Sequence, residues 1–243
     1  MMSERIGIIT QARTTSTRLP GKILRQANGR TMLEHHINRL GWSNLPVYIA
    51  TTLNDMDEPI VELAASRGWA YYRGDEANVL DRYYQCAKQS GLNTIIRVTS
   101  DCPLIDGRLI ARGLVEYLAS DHKFLYYSNC IERTFPRGLD FEIFPFGLLE
   151  EAFMNATTPA EREHVTPYLY QNKSSSAVIK HLKYQTDYSH IRWTLDTLED
   201  WSLLNKLFVE YNAAGLGFES LIEVMISNPR LMQINSDVKQ KEL

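Results

Sequence analysis

Residues 6–22 read Ile-Gly-Ile-Ile-Thr-Gln-Ala-Arg-Thr-Thr-Ser-Thr-Arg-Leu-Pro-Gly-Lys. The apolar start of this stretch predicts a buried β-strand, and the Pro-Gly pair marks a turn at the end of the loop that follows. The loop brings three cations close together, Arg13, Arg18 and Lys22. Arginine offers a bidentate fork to phosphate oxygens and lysine adds a mobile point charge, so the loop suits an anionic ligand.

This positive charge is local to one part of the chain. Residues 11–40 contain six lysines and arginines and one acidic residue, whereas the whole chain of 243 residues carries a net charge of −3. A nucleic-acid-binding domain usually presents a broad basic face. The charge distribution therefore indicates a confined anion site and argues against nucleic acid as a partner.

Cysteine use and hydropathy indicate the compartment. The three cysteines, Cys86, Cys102 and Cys130, form no Cys-x-x-Cys pair, which fits a reducing environment and offers no zinc framework. The N-terminus has no apolar stretch of signal-peptide length, and no run approaches the roughly 20 residues that span a bilayer. We therefore expect a cytoplasmic protein with no membrane partner.

Strand-like and helix-like segments alternate through the first half of the chain. After the first strand, further strands are predicted at residues 47–51, 69–72, 94–99 and 124–127, and helices at 57–67, 79–90 and 107–119. Such alternation implies an α/β fold with a parallel sheet and right-handed crossovers. In these sheets ligands bind beyond the carboxyl ends of the strands, where the cationic loop and the segment after residue 99 both emerge.

The second half of the chain is less regular. Its predicted strands lie at residues 141–144, 178–182 and 191–195, and its predicted helices at 146–155, 159–170 and 198–213. No repeat, low-complexity segment or linker divides the chain. Residues 1–243 are therefore predicted to form a single domain.

Two acidic residues, Asp101 and Asp196, directly follow predicted strands. A carboxylate at a strand end opposite a phosphate-binding loop is a natural ligand for Mg²⁺, which usually takes one or two carboxylates plus substrate oxygens. The alternatives are structural. Asp101 would cap the turn before Pro103, and Asp196 or Thr197 would cap the helix that follows.

The loop matches neither a Walker A motif nor a G-x-G-x-x-G fingerprint, but the motifs in this order resemble the cytidylyltransferase family. The resemblance is carried by Arg13, Ser16, Arg18, Pro20, Gly21 and Lys22, then Asp101-Cys-Pro-Leu-Ile, then Asp196-Thr-x-x-Asp200. That family includes enzymes that activate 3-deoxy-manno-octulosonate and sialic-type acids with CTP, and the SpsF-like spore coat polysaccharide branch is the most similar. Further matching segments, within a resemblance from about residue 5 to 205, are Arg73-Gly-Asp, Val79-Leu-Asp-Arg82, Pro136-x-Gly-Leu-Asp140 and Glu163-His-Val-Thr-Pro167.

The resemblance implies a fold and a reaction. The fold is the three-layer α/β/α, Rossmann-like architecture of nucleotide-diphospho-sugar transferases, with a mixed, mainly parallel sheet. The reaction is transfer of CMP from CTP to an acidic sugar or related acceptor, with release of pyrophosphate, in activated-sugar and surface polysaccharide biosynthesis. Two alternatives stay open: a GT-A-like glycosyltransferase that uses a nucleotide-sugar donor, and a non-catalytic subunit that binds nucleotide or sugar.

The resemblance also implies roles for individual residues. The catalytic residues would be Arg13, Lys22, Asp101 and Asp196, with Mg²⁺ held by the two aspartates. The nucleotide would contact Gln11, Ala12, Arg13, Ser16, Arg18, Lys22, Arg73, Thr99 and Asp101. The acceptor would contact Asp140, Glu142, Arg162 and His164. For Arg73 and the acceptor residues, an ordinary role in packing or at the surface stays open.

Two departures from the family leave the identity of the acceptor open. Ile23 stands where the sialic-acid enzymes have Asn after the loop lysine, and Thr99-Ser100 stands where the octulosonate enzymes have Gln-Gly. The resemblance further implies a homodimer, and the region 135–190 is the predicted elaboration for dimerisation or acceptor binding. Its aromatic residues would pack either on a second subunit or on their own sheet, and they lie at positions 141, 144, 146, 153, 168 and 170.

Overall fold

A computed structural model describes residues 4–171, 173–174 and 176–239. The two ends of the predicted domain 1–243, and Asn172 and Ser175 within the predicted elaboration, lie outside the described residues. The strands are β1 (Ile6–Gln11), β2 (Gln26–Ala27), β3 (Arg30–Thr31), β4 (Val47–Thr52), β5 (Ala70–Gly74), β6 (Thr94–Thr99), β7 (Leu125–Ser128), β8 (Glu142–Pro145) and β9 (Val178–His181). The helices are α1 (Met32–Leu40), α2 (Glu58–Arg67), α3 (Val79–Gln89), α4 (Gly107–Leu118), α5 (Phe146–Asn155), α6 (Pro159–His164), α7 (Pro167–Tyr170), α8 (Leu198–Glu210), α9 (Phe218–Ser227) and α10 (Pro229–Gln233). Within these ranges no helix is long and apolar enough to cross a membrane.

The main sheet has seven strands in the order β5-β4-β1-β6-β8-β7-β9. β1 lies between β4 and β6 and is parallel to both, with Ile8 opposite Val47 on one side and Ile96 on the other. β8 runs antiparallel to its neighbours β6 and β7, and the other pairings in this sheet are parallel. The mixed, mainly parallel sheet confirms the predicted α/β fold.

Alternation along the central strands sends neighbouring side chains into two separate cores. On one face of the sheet, Ile8 and Ile96 pack with residues of α1, α4, α8 and α9. On the other face, Ile9 and Ile95 pack with residues of α3 and α5. All four isoleucine side chains are fully buried. The sheet is therefore covered on both sides, which gives the three layers.

The helices differ from the sequence prediction in three places, one of which is the pair α9 and α10, for which no helix was predicted. The predicted helix 159–170 is divided into α6 and α7, because buried Val165 has a positive φ of 73°, outside the range of a right-handed helix. Helix α1 was not predicted. Its start carries a capping box, in which Thr31 and Glu34 exchange side-chain and backbone hydrogen bonds, and this pair is the sequence signal that marks it.

The predicted strand 191–195 is not a strand of the sheet. Four of its five residues are buried, and Thr194 is partly buried. Among the described residues, however, its ladder pairing is limited to one isolated bridge, between Arg192 and Arg137. The stretch is therefore an extended segment over the core, held to the chain before β8.

The aromatic side chains of region 135–190 pack on their own chain. Phe141 and Phe144 are buried in the two opposite cores. Phe153 stacks on Tyr84 with 4.2 Å between the ring centroids. These residues follow the alternative in which they cover their own sheet, and the homodimer stays a prediction.

The start of α4 packs closely on the end of α1, and Gly107 allows this contact. A Cβ atom at Gly107 would lie 2.6 Å from the Arg39 carbonyl oxygen and 2.7 Å from the Ser43 amide nitrogen. Both neighbours are backbone atoms, so Gly107→Ala should lower the free energy of unfolding by about 1–3 kcal/mol, the range for overpacked sites. Denaturant unfolding would measure the loss. The control is Gly41→Ala, where a Cβ meets nothing within 4 Å, and an equal loss in both variants would contradict the close contact.

Candidate active site

The carboxyl ends of β1 and β6 lie side by side, and the loops that leave them line one cavity of about 330 Å³. The predicted nucleotide-binding residues, with the exception of Arg73, line this cavity: Gln11, Ala12, Arg13, Ser16, Arg18, Lys22, Thr99 and Asp101. Asp196 lines it as well. The four predicted catalytic residues therefore lie together.

Two contacts shape the cationic loop. The Thr14 amide donates to Oδ1 of Asp57 at 2.6 Å, and Asp57 is fully buried. The Gly21 amide donates to the Thr14 carbonyl at 2.8 Å, and Gly21 has a left-handed φ of 65°, which glycine adopts without a steric penalty. The Pro-Gly turn thus closes the loop, and Lys22 directly after it is buried.

Lys22 joins the two predicted metal ligands. Its Nζ lies 2.9 Å from Oδ2 of Asp101 and 2.8 Å from Oδ1 of Asp196. Burial by itself lowers the pKa of Lys22, but the two carboxylates outweigh it and raise the pKa above its usual value. Burial alone would raise the pKa of Asp101, whereas the Lys22 ammonium holds it well below its usual range. Lys22 and Asp101 are therefore both charged at neutral pH.

Asp196 is held by arginines and does not cap α8. Its Oδ2 forms an ion pair with Arg18 at 3.0 Å and accepts a hydrogen bond from Arg192 at 2.8 Å. Thr197 is the cap, because its hydroxyl accepts from the Asp200 amide and its own amide donates to the Asp200 carboxylate. Of the two residues that the sequence left open as caps, Thr197 has this role, and the carboxylate of Asp196 faces the cavity.

His36 ties the end of β1 to the loop after β6. Its Nε2 lies 2.9 Å from the Thr10 hydroxyl, and its Nδ1 lies 2.9 Å from the Cys102 carbonyl oxygen. A carbonyl only accepts, so we assign the hydrogen to Nδ1, and Nε2 accepts from the hydroxyl. Burial lowers the pKa of His36 to about 4. The neutral ring thus fixes the backbone beside Asp101.

A second cavity of about 360 Å³ opens from the same place. It shares five lining residues with the first cavity: Arg97, Thr99, Asp101, His164 and Asp196. Three of the four predicted acceptor residues line it, namely Asp140, Glu142 and His164. Asp140 accepts two hydrogen bonds from Arg133, at 2.5 and 2.9 Å.

Glu142 is buried in the wall of the second cavity. Its carboxylate accepts hydrogen bonds from the hydroxyls of Tyr126 and Thr166, each at 2.5 Å. It also accepts a hydrogen bond from Arg97. The residue is therefore part of a network within the protein.

Two predicted site residues line neither cavity. Arg73 donates to the Thr52 carbonyl at 2.9 Å and to Glu58 at 2.7 Å, beside the end of β5. Arg162 donates to the Ala156 carbonyl at 3.0 Å and is exposed on α6. For both residues, the structure agrees with the alternative that the sequence left open, an ordinary role at the surface.

The cavities also contain cations that had no predicted role. Arg82 and Arg97 line the first cavity, and Arg97, Arg133 and Arg137 line the second. Arg82 ends a segment that resembles the family, and Arg97 is a charged residue within the otherwise uncharged strand Thr94–Thr99. Both features are visible in the sequence and are the signals that mark these residues.

Comparison with known proteins identifies the family. The sequence pattern described as cytidylyltransferase matches residues 7–240. The chain belongs to the cytidylyltransferase family. An uncharacterised protein of Methanocaldococcus jannaschii is 38% identical to it over 97% of this chain and 96% of its own. The spore coat polysaccharide biosynthesis protein SpsF of Bacillus subtilis is 28% identical over 91% of this chain and 94% of its own. The solved structure of a cytidylyltransferase from Leptospira borgpetersenii matches with a TM-score of 0.90, 33% identity and 99% coverage of both chains.

Family membership confirms the resemblance carried by the cationic loop and the two aspartates. The presence of SpsF among the relatives agrees with the predicted branch. The chain is thus a member of a nucleotidyltransferase family, and its two adjoining cavities can be considered in terms of that chemistry.

Substitutions at Asp196 and Thr197 should distinguish the role of the cavity residue Asp196 from that of the helix cap Thr197. Asp196→Asn should slow nucleotidyl transfer at least about a thousandfold, roughly 4 kcal/mol of activation barrier at about 1.36 kcal/mol per tenfold. Thr197→Ala should leave turnover unchanged and lower the free energy of unfolding by about 1 kcal/mol. Pyrophosphate release from CTP and denaturant unfolding measure the two effects. A fully active Asp196→Asn protein would remove Asp196 from the reaction.

Proposed function

We propose that the protein transfers CMP from CTP to an acidic sugar or related acceptor and releases pyrophosphate, for activated-sugar and surface polysaccharide biosynthesis. The observation that carries this proposal is the meeting of two cavities at Asp101 and Asp196. One cavity has a cationic loop suited to a triphosphate, and the other has charged side chains suited to a polar acceptor. Nucleotidyl transfer requires two substrates to meet at one phosphorus atom, and the shared wall offers that meeting point.

The cationic loop supplies the positive charge for the nucleotide. The side chains of Arg13 and Arg18 are 43% and 39% exposed at the cavity, so phosphate oxygens can reach both. In the transfer step the acceptor oxygen attacks the α-phosphorus and the P–O bond to pyrophosphate breaks. Negative charge then builds on the leaving group, and Arg13, Arg18 and Lys22 stabilise it. The rest of the task is to hold the two reactants in line.

Asp101 and Asp196 fit a Mg²⁺ ion by their donor chemistry. The two carboxylates already share one cation, the ammonium of Lys22, so their oxygens face a common point. Mg²⁺ usually takes one or two carboxylates plus substrate phosphates, so this pair is a sufficient contribution from the protein. When bound, the ion would neutralise phosphate charge and lower the pKa of the acceptor hydroxyl. Lys22 would then be available to the phosphates.

Arg137 in the second cavity suits an acidic acceptor. Arg137 and His164 line this cavity, and Arg133 beside them is paired with Asp140. Burial and the neighbouring Arg133 guanidinium lower the pKa of Arg137. An acceptor carboxylate would relieve this repulsion between like charges.

We expect the reaction to take place in the cytoplasm. Cys86, Cys102 and Cys130 are all free, which suits a reducing compartment. The homodimer remains an expectation from the family resemblance.

The proposal is tested by incubating the protein with Mg²⁺, CTP and a panel of acidic sugars, with pyrophosphate release as the readout. We expect release only when CTP and an acidic acceptor are both present. UTP, ATP and neutral sugars are the controls for the base and for the acceptor charge. Consumption of a nucleotide-sugar donor without pyrophosphate release would support a glycosyltransferase instead. Binding of CTP without turnover on any acceptor would favour a non-catalytic subunit.

Substitution of the loop lysine should show which phosphates of the nucleotide it contacts. Lys22→Ala should weaken CTP binding more than CMP binding, because the lysine is proposed to meet the β- and γ-phosphates. Arg13→Lys should also weaken CTP, since a point charge does not replace a bidentate fork. Isothermal titration calorimetry measures both affinities, with Arg67→Met, which removes a surface ion pair with Glu34, as the control. Equal weakening of CTP and CMP by Lys22→Ala would locate the lysine elsewhere.

A further inference from the structure

We propose that Arg97 is a further catalytic residue, which contacts the α-phosphate of the bound nucleotide, and that Glu142 positions it. This inference rests on the proposed transfer of CMP. From the sequence, Arg97 had no predicted role and Glu142 was predicted to contact the acceptor. The contacts of both side chains lead to a different assignment.

Arg97 lies in the wall that the two cavities share. Arg97 and Thr99 are alternate residues of β6, so their side chains lie on the same face of the sheet. Asp101 follows two residues after the end of this strand. The α-phosphorus must lie where nucleotide and acceptor meet. A side chain in the shared wall is therefore next to the phosphoryl group that is transferred, whereas Arg13 and Arg18 line the nucleotide cavity alone.

Glu142 holds the guanidinium of Arg97 in one orientation. The two residues are opposite each other in the β6–β8 ladder, and a terminal nitrogen of Arg97 donates to the Glu142 carboxylate. The other carboxylate oxygen accepts from Tyr126 and Thr166. The guanidinium also lies over the ring of Tyr83, 5.6 Å from its centroid. Because both oxygens of Glu142 are engaged, its contacts are those of a positioning residue.

Arg97 keeps donors for a further partner. A guanidinium has five N–H donors, and in the part of the chain that the structure describes Arg97 gives hydrogen bonds to Glu142 alone. Its buried Nε has no partner there. Arg39, another buried arginine, donates to four backbone carbonyls. Arg39 thus makes four hydrogen bonds within the protein, whereas Arg97 makes one and keeps donors for an anion at the cavity junction.

This position suits the charge that develops during the transfer. As the acceptor oxygen bonds to the α-phosphorus and gives up its proton to water, the P–O bond to pyrophosphate breaks. Negative charge meanwhile builds on the non-bridging oxygens of the α-phosphate. A guanidinium fixed beforehand stabilises that charge without reorganisation. Lys22 and the loop arginines act on the leaving pyrophosphate, so Arg97 has a separate task.

The binding of cytidine, CMP and CTP, measured by calorimetry, tests the contact to the α-phosphate. The main variant combines Arg97→Met with Glu142→Gln, so that neither charge of the buried pair is left alone. CMP and CTP should both bind about 10- to 100-fold more weakly, by the loss of hydrogen bonds to a charged group, while cytidine keeps its wild-type affinity. Arg97→Lys, which retains the ion pair, should show the same pattern. Arg67→Met is the control and should leave all three affinities unchanged.

Glu142→Gln alone tests the positioning role. Glutamine has the same shape and leaves the Arg97 side chain in the site, so CTP should still bind, but it lacks the charge that fixes the guanidinium in one orientation. With the acceptor that gives most pyrophosphate in the panel above, kcat should fall about 10- to 100-fold, as small displacements of a catalytic group cause. KM for CTP should stay near its wild-type value. A loss confined to stability, with kcat unchanged, would contradict the positioning role.

Three outcomes of the binding experiment would overturn the role of Arg97. Folded variants that bind CMP and CTP as tightly as the wild type would exclude a contact to the α-phosphate. An equal loss for cytidine would locate Arg97 at the base or the ribose. A wild-type protein that binds neither CMP nor CTP would refute the proposed function itself, and the role of Arg97 with it.

Discussion

The ammonium of Lys22 between the carboxylates of Asp101 and Asp196 is the contact on which the site depends. It joins three parts of the chain that are far apart in sequence: the loop after β1, the loop after β6 and the segment before α8. Two carboxylates brought this close repel each other unless a cation lies between them. The loop lysine therefore lets the segment before α8 close over the sheet edge, and the same electrostatic demand makes the pair of aspartates suitable for a metal ion.

The buried arginines of this protein differ in role: some stabilise the fold, and one is available to a substrate. Arg39 binds backbone carbonyls and joins α1 to the chain before α4. Arg192 pairs with Asp196 and Asp200, and so fixes the start of α8 next to the cavity. Arg97 has one carboxylate partner and a position at the junction of two cavities. The number of donors already used inside the protein, more than burial itself, distinguishes an arginine that supports the fold from one that awaits a substrate.

Much of the nucleotide cavity could be predicted from the sequence, because the carboxyl ends of adjacent parallel strands bring their loops to one edge. That rule links the cationic loop to Asp101 without any knowledge of the tertiary structure. Apolar and polar residues alternate in the sequence 191–195, and this pattern predicts that the apolar side chains are buried. Whether the segment also pairs as a strand depends on a partner, and its bridge partner, Arg137, is distant in sequence. The role of Glu142 was missed for the same reason, since its three donors come from β6, β7 and the turn before α7.

The reversed direction of β8 has an evolutionary consequence. Because β8 is antiparallel to β6, the ligand edge meets the start of β8, and the second cavity is lined by the segment 129–141 that enters this strand. The first cavity is lined mainly by the loop that leaves β1 and the end of β6. Apart from the five residues that the cavities share, the second cavity therefore has lining of its own, much of it from the segment that enters β8. Under the proposed function, mutations in this segment would change the acceptor without altering residues 11–22, so homologues that share the nucleotide loop would be free to diversify in what they activate.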